Sequence, residues 1–315
     1  MISEVFKCKL PIRDRVCHMA SLSTSEDDAQ TQAAFSHKWT ACDDMEQLDE
    51  KLFNFQRNWF LSLYGFENEQ ALSAFLADKK VILDAGCGMG YKAAWFAELA
   101  PHAQVIGMDY SESIYGAAQR YQSCENLDFV RGDIADTNIM DKAVDFVCCD
   151  QVIMHTENPE ATFAELSRIT SDAGEFACYV YRKKALPREL LDDYFRVHCK
   201  ALGNDELMEL SKQLTQLGQT LTELDITINI PDMPALGIKG GEQDLQRFIY
   251  WNFIKCFWNP EFGEAMSTMT NFDWYSPSNA KRFSKDEFKN IINDSAMNIV
   301  FFHEEEACYS GRFAR

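Results

Sequence analysis

The chain lacks the features that would place it in a membrane or around a metal ion. It has no run of about 18 or more apolar residues, the length that a membrane-spanning helix requires. Its first residues, MISEVF, do not combine a basic start with an apolar core, so no secretory signal is predicted. Cysteine is not rare, at 11 residues, but no C-x-x-C pair occurs and the spacing of a zinc site is missing. We therefore expect reduced thiols, no metal, no membrane partner and a cytoplasmic location.

Positive charge is also scarce. The sequence has 30 lysines and arginines against 49 acidic residues, which gives a formal net charge of −19 at pH 7. A surface of that sign repels phosphate backbones, and short basic clusters such as residues 182–184 are too small to overcome the field. We therefore predict no nucleic-acid partner, whereas a homodimer is left open by the sequence.

Strand and helix patterns alternate through the middle third of the chain. Short apolar runs typical of buried strands are each followed by a helical pattern. Strands are predicted at 81–83, 104–108, 127–131, 144–149 and 174–181, and two more at 297–302 and 307–313. Helices are predicted between the first five of them at 92–99, 114–121 and 161–169. This order predicts an α/β fold with a doubly wound, mostly parallel seven-stranded sheet and helices on both faces.

Composition and periodicity divide the chain into four segments. Residues 1–76 are predicted to form an N-terminal arm and a helical cap, and residues 77–184 the core of the sheet. The alternation stops after Lys184, so 185–285 is interpreted as a large insertion that covers a substrate. Residues 286–315 then supply the final helix and the last two strands.

A glycine-rich stretch, VILDAGCGMG at 81–90, joins the first of these strands to a helix. Glycine permits positive φ and a close approach of a ligand to the backbone, and the helix start offers free N–H groups. A phosphate loop would require G-x-x-x-x-G-K-S/T, and no Lys-Ser/Thr pair follows Gly90. A dinucleotide site would require G-x-G-x-x-G, whereas Gly86, Gly88 and Gly90 are spaced G-x-G-x-G. Neither of these two nucleotide sites is therefore favoured.

With Asp84 ahead of it, this spacing resembles the first motif of the class I S-adenosylmethionine-dependent methyltransferases. Three later matches follow in order: VIGMD ends at Asp109, Gly132 and Asp133 come after the third strand, and FVCCDQVIMH follows at 146–155. A carboxylate can accept two hydrogen bonds from a vicinal diol, and an anionic rim suits a sulfonium cation. The resemblance implies S-adenosylmethionine as cofactor, and it implies these cofactor-binding residues: Asp84, Gly86, Cys87, Gly88, Gly90, Asp109, Tyr110, Asp133, Ile134, Asp150 and Gln151.

Two further cofactor contacts are implied by the N-terminal segment. In related enzymes an aromatic stretch and a basic residue on a nearby helix cover the cofactor and bind its carboxylate. Trp39, in FSHKW at 35–39, and Arg57 could take these places. The alternative is a packed tryptophan and a surface arginine, and the sequence does not decide between them.

Candidate catalytic and substrate residues come from the strand ends and the insertion. His155 follows the fourth strand and is the candidate general base, although it could instead only shape the pocket. Tyr179 and Tyr181 share one face of the fifth strand and are candidate substrate contacts, with core or helix packing as the alternative. Arg182 could bind an anionic substrate or only solvate the strand end. In NFDWYSP, at 271–277, turn-forming residues predict a loop, which makes Trp274 and Tyr275 further substrate candidates.

The function expected from these residues is methyl transfer from S-adenosylmethionine to an oxygen or nitrogen of a small molecule, such as a sugar or another biosynthetic intermediate. Methylation of RNA or protein is an alternative, which the net charge disfavours for RNA. A non-catalytic protein that uses the same fold for binding is a second alternative. A nicotinamide-dependent oxidoreductase is disfavoured by the glycine spacing.

Overall fold

The computed structural model describes residues 4–19, 25–43 and 49–315. Contacts divide the chain into two units, one made of Met1–Arg182 with Lys281–Arg315 and the other of Lys183–Ala280. The insertion predicted at 185–285 overlaps the second unit, and its bounds and its role in covering a substrate stay predictions. Within the described ranges, no helix combines the length and the apolar character needed to cross a bilayer.

The first unit alternates strands and helices. Its strands are β1 (Ile12–Arg13), β2 (Val16–His18), β3 (Val81–Ala85), β4 (Gln104–Asp109), β5 (Leu127–Arg131), β6 (Val144–Cys149), β7 (Thr170–Arg182), β10 (Arg282–Phe283), β11 (Asn298–Glu304) and β12 (Cys308–Ala314). Its helices are α1 (Glu26–Asp43), α2 (Asp49–Leu63), α3 (Glu69–Leu76), α4 (Tyr91–Leu99), α5 (Ser113–Arg120), α6 (Pro159–Ile169) and α11 (Lys285–Asp294).

The second unit is mostly helical. Its helices are α7 (Leu186–Cys199), α8 (Asn204–Glu223), α9 (Leu245–Asn252) and α10 (Gly263–Tyr275), and its hairpin is made of β8 (Thr227–Ile230) and β9 (Gly241–Asp244).

The strands of the first unit form one sheet in the order β1-β2-β5-β4-β3-β6-β7-β12-β11, with β10 paired to β7. The mostly parallel α/β sheet is confirmed, but over the residues that the structure describes it has ten strands and not seven. The three additional strands are two or three residues long, too short to show a strand period in sequence. Val16 and Cys17 of β2 are buried, so the N-terminal segment predicted as an arm contributes to the core.

The pairing of the central strands determines where the candidate site lies. β3 pairs in parallel with β4 on one side and with β6 on the other, so the strand order reverses at β3. These strands are buried on both faces; Ile82 and Leu83 of β3, for example, point to opposite faces and are both buried. Because both faces are buried, the strands are continuous apolar runs in the sequence. Ligands bind at the carboxyl ends of strands where such an order reverses. The residues after β3, β4, β5 and β6 therefore meet at one edge.

The second unit corrects one local prediction. Trp274 and Tyr275 end α10 and do not lie in a loop. Asn271 lies within this helix. Its side chain accepts a bond from Phe257 N and donates to Thr215 Oγ1 and Phe257 O, which ties α10 to α8 and to the segment before α10, where a turn was expected. Trp274 is 6% exposed and Tyr275 is 2% exposed. Both side chains pack inside this unit, and their contact with a substrate stays a prediction.

Candidate functional site

The glycine loop that follows β3 depends on left-handed backbone. Gly86, Gly88 and Gly90 have φ values of 84°, 53° and 76°, a region that side chains rarely allow. Gly86 N and Cys87 N both donate to the carbonyl of Met108, at 2.8 and 3.0 Å, which holds the loop against the end of β4. A Cβ atom on Gly86 would lie 2.4 Å from Cγ1 of Val152. Two independent constraints thus require glycine at position 86.

Asp84, at the end of β3, lies beneath this loop and is 2% exposed. Its carboxylate accepts a hydrogen bond from Ala93 N in the first turn of α4. The N-cap residue of that helix is Gly90, which has no side chain to cap it, so Asp84 supplies the acceptor from outside the helix. The other carboxylate oxygen, Oδ2, is buried and has no hydrogen-bond partner among the described residues.

Burial raises the pKa of Asp84 to about 6. The cation of Lys92 lowers this pKa, whereas the nearby carboxylates of Asp150 and Asp109 raise it. Asp84 therefore changes charge close to neutral pH, which ties the charge of the site to the solution pH.

Asp109, at the end of β4, is already organised by the protein. Its Oδ2 atom accepts a bond from Gly88 N at 2.7 Å, and its Oδ1 atom accepts bonds from Ser111 N at 2.8 Å and Ser111 Oγ at 2.6 Å. The carbonyl of Tyr110 accepts a bond from Gln32 Nε2 at 3.0 Å, which ties α1 to this turn. The carboxylate is thus fixed beside the loop, and its Oδ2 atom can still accept a further bond.

Asp133 and Ile134 follow β5 at the same edge. Asp133 Oδ1 accepts a bond from Ala135 N at 2.8 Å, and burial raises the pKa of this carboxyl. Ile134 is buried next to it. Together they offer a hydrogen-bond acceptor beside an apolar wall, the pairing that a flat heterocycle requires.

Asp150 follows β6 and is buried in a network that the sequence did not predict. Its Oδ1 atom accepts a bond from the Tyr64 hydroxyl at 2.8 Å. Its Oδ2 atom lies 2.5 Å from Lys92 Nζ and 3.3 Å from Gln151 Nε2. One signal was available, because Lys92 places a cation in the first turn of a helix, where cations are disfavoured. Tyr64 gave no signal at all.

His155 lies in a short 3₁₀ turn after β6, at residues 153–155, and is 9% exposed. Its ring makes edge-to-face contacts with the rings of Phe35 and Tyr181, with ring centroids 5.0 Å and 5.5 Å apart. Tyr181 in turn contacts Tyr179 at 5.9 Å. The structure therefore brings the candidate base together with two of the three substrate candidates of β7.

The third candidate, Arg182, is engaged elsewhere in the same unit. Its Nη1 atom lies 3.1 Å from Glu304 Oε1 and donates to the carbonyl of Glu305. Its guanidinium also lies over the ring of Tyr309, 5.4 Å from the centroid. Contact of Arg182 with a substrate stays a prediction, and it would have to compete with these partners.

Arg57 lies beside a cavity of about 310 Å³ that also reaches Lys92, Asp150 and Gln151. Its guanidinium is 3.8 Å from each of Glu69 and Glu98 and lies over the ring of Trp95. The structure thus places Arg57 near the turn after β6, with its charge shared by two glutamates. The side chain of Trp39 lies outside the described residues.

Comparison with known proteins identifies the central part of the chain. Residues 83–178 match the family model described as a methyltransferase domain. This region is a class I S-adenosylmethionine-dependent methyltransferase domain. Its cofactor is S-adenosylmethionine, and the matched range runs from β3 through the glycine loop into β7.

Three curated relatives are similar to this methyltransferase domain. An uncharacterised methyltransferase of Schizosaccharomyces pombe is 30% identical over 106 residues, 31% of this chain and 38% of that protein. A probable S-adenosylmethionine-dependent methyltransferase of Mycolicibacterium smegmatis is 32% identical over 117 residues, 36% and 44% of the two chains. A sterol 24-C-methyltransferase of Saccharomyces cerevisiae is 25% identical over 122 residues, which are 38% of this chain and 32% of that protein. The chain thus spans less than half the length of each of these relatives.

Replacing Gly86 with alanine should weaken cofactor binding. The new Cβ meets Val152, and φ of 84° is strained for alanine, so the loop must move. Calorimetry with S-adenosylhomocysteine should show an affinity at least about tenfold weaker. Gly116→Ala is the matched control, since its Cβ would have only one neighbour within 4 Å, at 3.9 Å. Equal affinities for the two variants would contradict this account of the loop.

Asp84→Asn should stabilise the protein at pH 8 although it removes a site residue. The unfolded carboxyl ionises near pH 4 and the folded one near 6, so stability falls as pH rises between these values. Asparagine removes that loss, which amounts to about 3 kcal/mol, and still accepts the bond from Ala93. Thermal unfolding should therefore separate the variant from wild type at pH 8 but not at pH 4.

Asp78→Asn is the control for this experiment, since Asp78 is exposed just before the same strand. A change of melting temperature for Asp84→Asn that is the same at both pH values would show that buried charge is not the cause.

Proposed function

We propose that this chain is a methyltransferase that transfers the methyl group of S-adenosylmethionine to an oxygen or nitrogen of a small molecule. The observation that carries the proposal is the arrangement at one sheet edge: Asp84, Asp109 and Asp133 lie at the carboxyl ends of three adjacent strands, around a bare glycine loop. The enclosed surroundings of His155 and Tyr179 favour a small acceptor, and the net charge of −19 disfavours a nucleic acid.

The residues at this edge fit the cofactor chemically. Asp109 would accept hydrogen bonds from the ribose hydroxyls, and Asp133 with Ile134 would hold the adenine. The unpartnered Oδ2 atom of Asp84 would face the cationic amino-acid end, since a buried carboxylate oxygen gains most from a cation or a donor. Gly86 and Gly88 would leave the backbone open for the close approach. Trp39 and Arg57 remain proposed contacts for the cofactor's cover and its carboxylate.

The chemistry that the protein must supply is alignment, exclusion of water and removal of a proton. His155 lies between the rings of Phe35 and Tyr181, which limit its rotation and shield it from solvent. In this proposal its imidazole accepts the proton that the hydroxyl or amine of the acceptor loses as the new bond to carbon forms. Tyr179 and Tyr181 would provide the aromatic side of the acceptor pocket.

A carbon acceptor is the second candidate. The observation that favours it is the match to the sterol 24-C-methyltransferase, whose name specifies methylation at carbon. Product analysis separates the candidates, since methyl ethers, methylamines and methylated carbons have distinct carbon-13 shifts when the transferred methyl group is labelled.

The proposal is tested first by calorimetry with S-adenosylhomocysteine. Wild type should bind one equivalent, and Asp109→Ala should weaken binding by about 10- to 100-fold, because a charge-assisted bond is lost and the loop contact with it. Asp172→Ala is the control, since this exposed carboxylate lies in the amino-terminal part of β7. Folded wild-type protein that does not bind S-adenosylhomocysteine would overturn the cofactor assignment.

The role of His155 is tested by turnover. Transfer of labelled methyl groups into a panel of small hydroxyl and amino compounds should fall by about 100- to 10,000-fold in His155→Ala, the usual contribution of a general base. Its affinity for S-adenosylhomocysteine should change by less than about threefold. His102→Ala, at an exposed position, should behave like wild type. Full turnover by His155→Ala would remove this residue as the base.

A further inference from the structure

Lys92 occupies an unfavourable place for a cation. It is the second residue of α4, where the positive end of the helix dipole disfavours positive charge, and its side chain is only 14% exposed. The ammonium is compensated by Asp150, whose Oδ2 atom lies 2.5 Å away, and by the nearby carboxylate of Asp84. The carboxylates of Asp150 and Asp84 therefore offset the unfavourable position of the Lys92 cation.

Asp150 is held from three parts of the chain. Tyr64 donates from the residue after α2, Lys92 from α4, and Gln151 from the turn itself. Tyr64 is fully buried and Asp150 nearly so. Buried ion pairs contribute little net stability compared with apolar packing, but losing one partner of such a pair is costly. A network of this kind fixes a geometry more than it stabilises the fold.

The geometry in question is that of the turn at residues 150–155. Gln151 has φ of 64°, a strained value for a residue with a side chain, directly after the anchored Asp150. Val152 then packs against the glycine loop where a Cβ on Gly86 would clash, and His155 ends the turn. Anchoring Asp150 therefore sets the distance between the glycine loop and His155.

We propose that Lys92 and Tyr64 are positioning residues of the methyl-transfer site, which act through Asp150 to hold the turn at 150–155 against the glycine loop. This inference rests on the function proposed above. It also assigns both oxygens of Asp150 to bonds within the protein, so Asp150 contributes to the cofactor site by its position.

A double-mutant cycle tests whether Lys92 acts through Asp150. Lys92→Met and Asp150→Asn should each weaken S-adenosylhomocysteine binding by about tenfold, and the double variant should be no weaker than the poorer single one. Lys285→Met is the matched control, because Lys285 also lies in the first turn of a helix and pairs with Glu304 at 2.6 Å, but at the surface. Losses that multiply in the double variant would overturn the proposal.

The pH dependence of binding separates positioning from a loss of folding. Asp84 is faced by Lys92 and Tyr91 of α4, Asp150 and Cys148 of the β6 end, Asp109 of the β4 end and Cys87 of the loop. Wild-type affinity should fall as the pH drops through about 6. Lys92→Met should move this midpoint upward, since the cation that lowers the pKa of Asp84 is gone, and Lys92→Arg should restore it. An unchanged midpoint in Lys92→Met would contradict the compensation of Asp84 by Lys92.

Hydrogen exchange provides a readout that needs no ligand. The amides of His155 and Thr156 donate to Val152 and Ile153 within the turn. They should exchange faster in Lys92→Met and in Tyr64→Phe, which keeps the buried ring and removes only the hydroxyl, and not in Lys285→Met. Unchanged exchange in both variants would overturn the positioning role. Failure of wild type to bind S-adenosylhomocysteine would contradict the proposed function instead, and exchange would still decide the role of Lys92.

Discussion

The site depends on the close packing of the glycine loop against the turn that follows β6. Val152 occupies the space where any side chain at position 86 would lie, and the loop is held from below by the carbonyl of Met108. Because β3 pairs with both β4 and β6, these two connections are neighbours at the same sheet edge. The bare backbone of Gly86 therefore provides the contact between the two halves of the sheet.

Charge is the second constraint on this edge. Burial raises the pKa of Asp84, the nearby carboxylates of Asp150 and Asp109 raise it further, and the cation of Lys92 lowers it. This arrangement lowers the stability of the folded protein above pH 6, where Asp84 is ionised and its buried Oδ2 atom has no partner among the described residues. Binding sites commonly retain such costs, because the same oxygen gains a partner when a cation binds. An acidic protein with a net charge of −19 suits a cationic cofactor.

Much of the fold could be predicted from the sequence, because the seven longer strands are apolar runs separated by helical patterns. The three short strands were missed, since two or three residues cannot show a period. The loop expected around Trp274 was wrong because propensity describes local preference, and Asn271 uses its amide to join Phe257 and Thr215. The burial of these aromatic residues then follows from their place in α10.

Sequence alone determined the glycine spacing and the order of the acids after the strands, because both are local and each strand end carries its own residue to the sheet edge. Tertiary structure alone decided which groups meet. Lys92 and Asp150 are 58 residues apart, and Tyr64 and Asp150 are 86 apart, so no local pattern could pair them. The same holds for His155, whose neighbours Phe35 and Tyr181 come from α1 and β7. Asp84 could be recognised in the sequence as the acid ahead of the glycines. Only the folded structure shows that its Oδ2 atom is buried without a partner among the described residues and that Lys92 lies nearby.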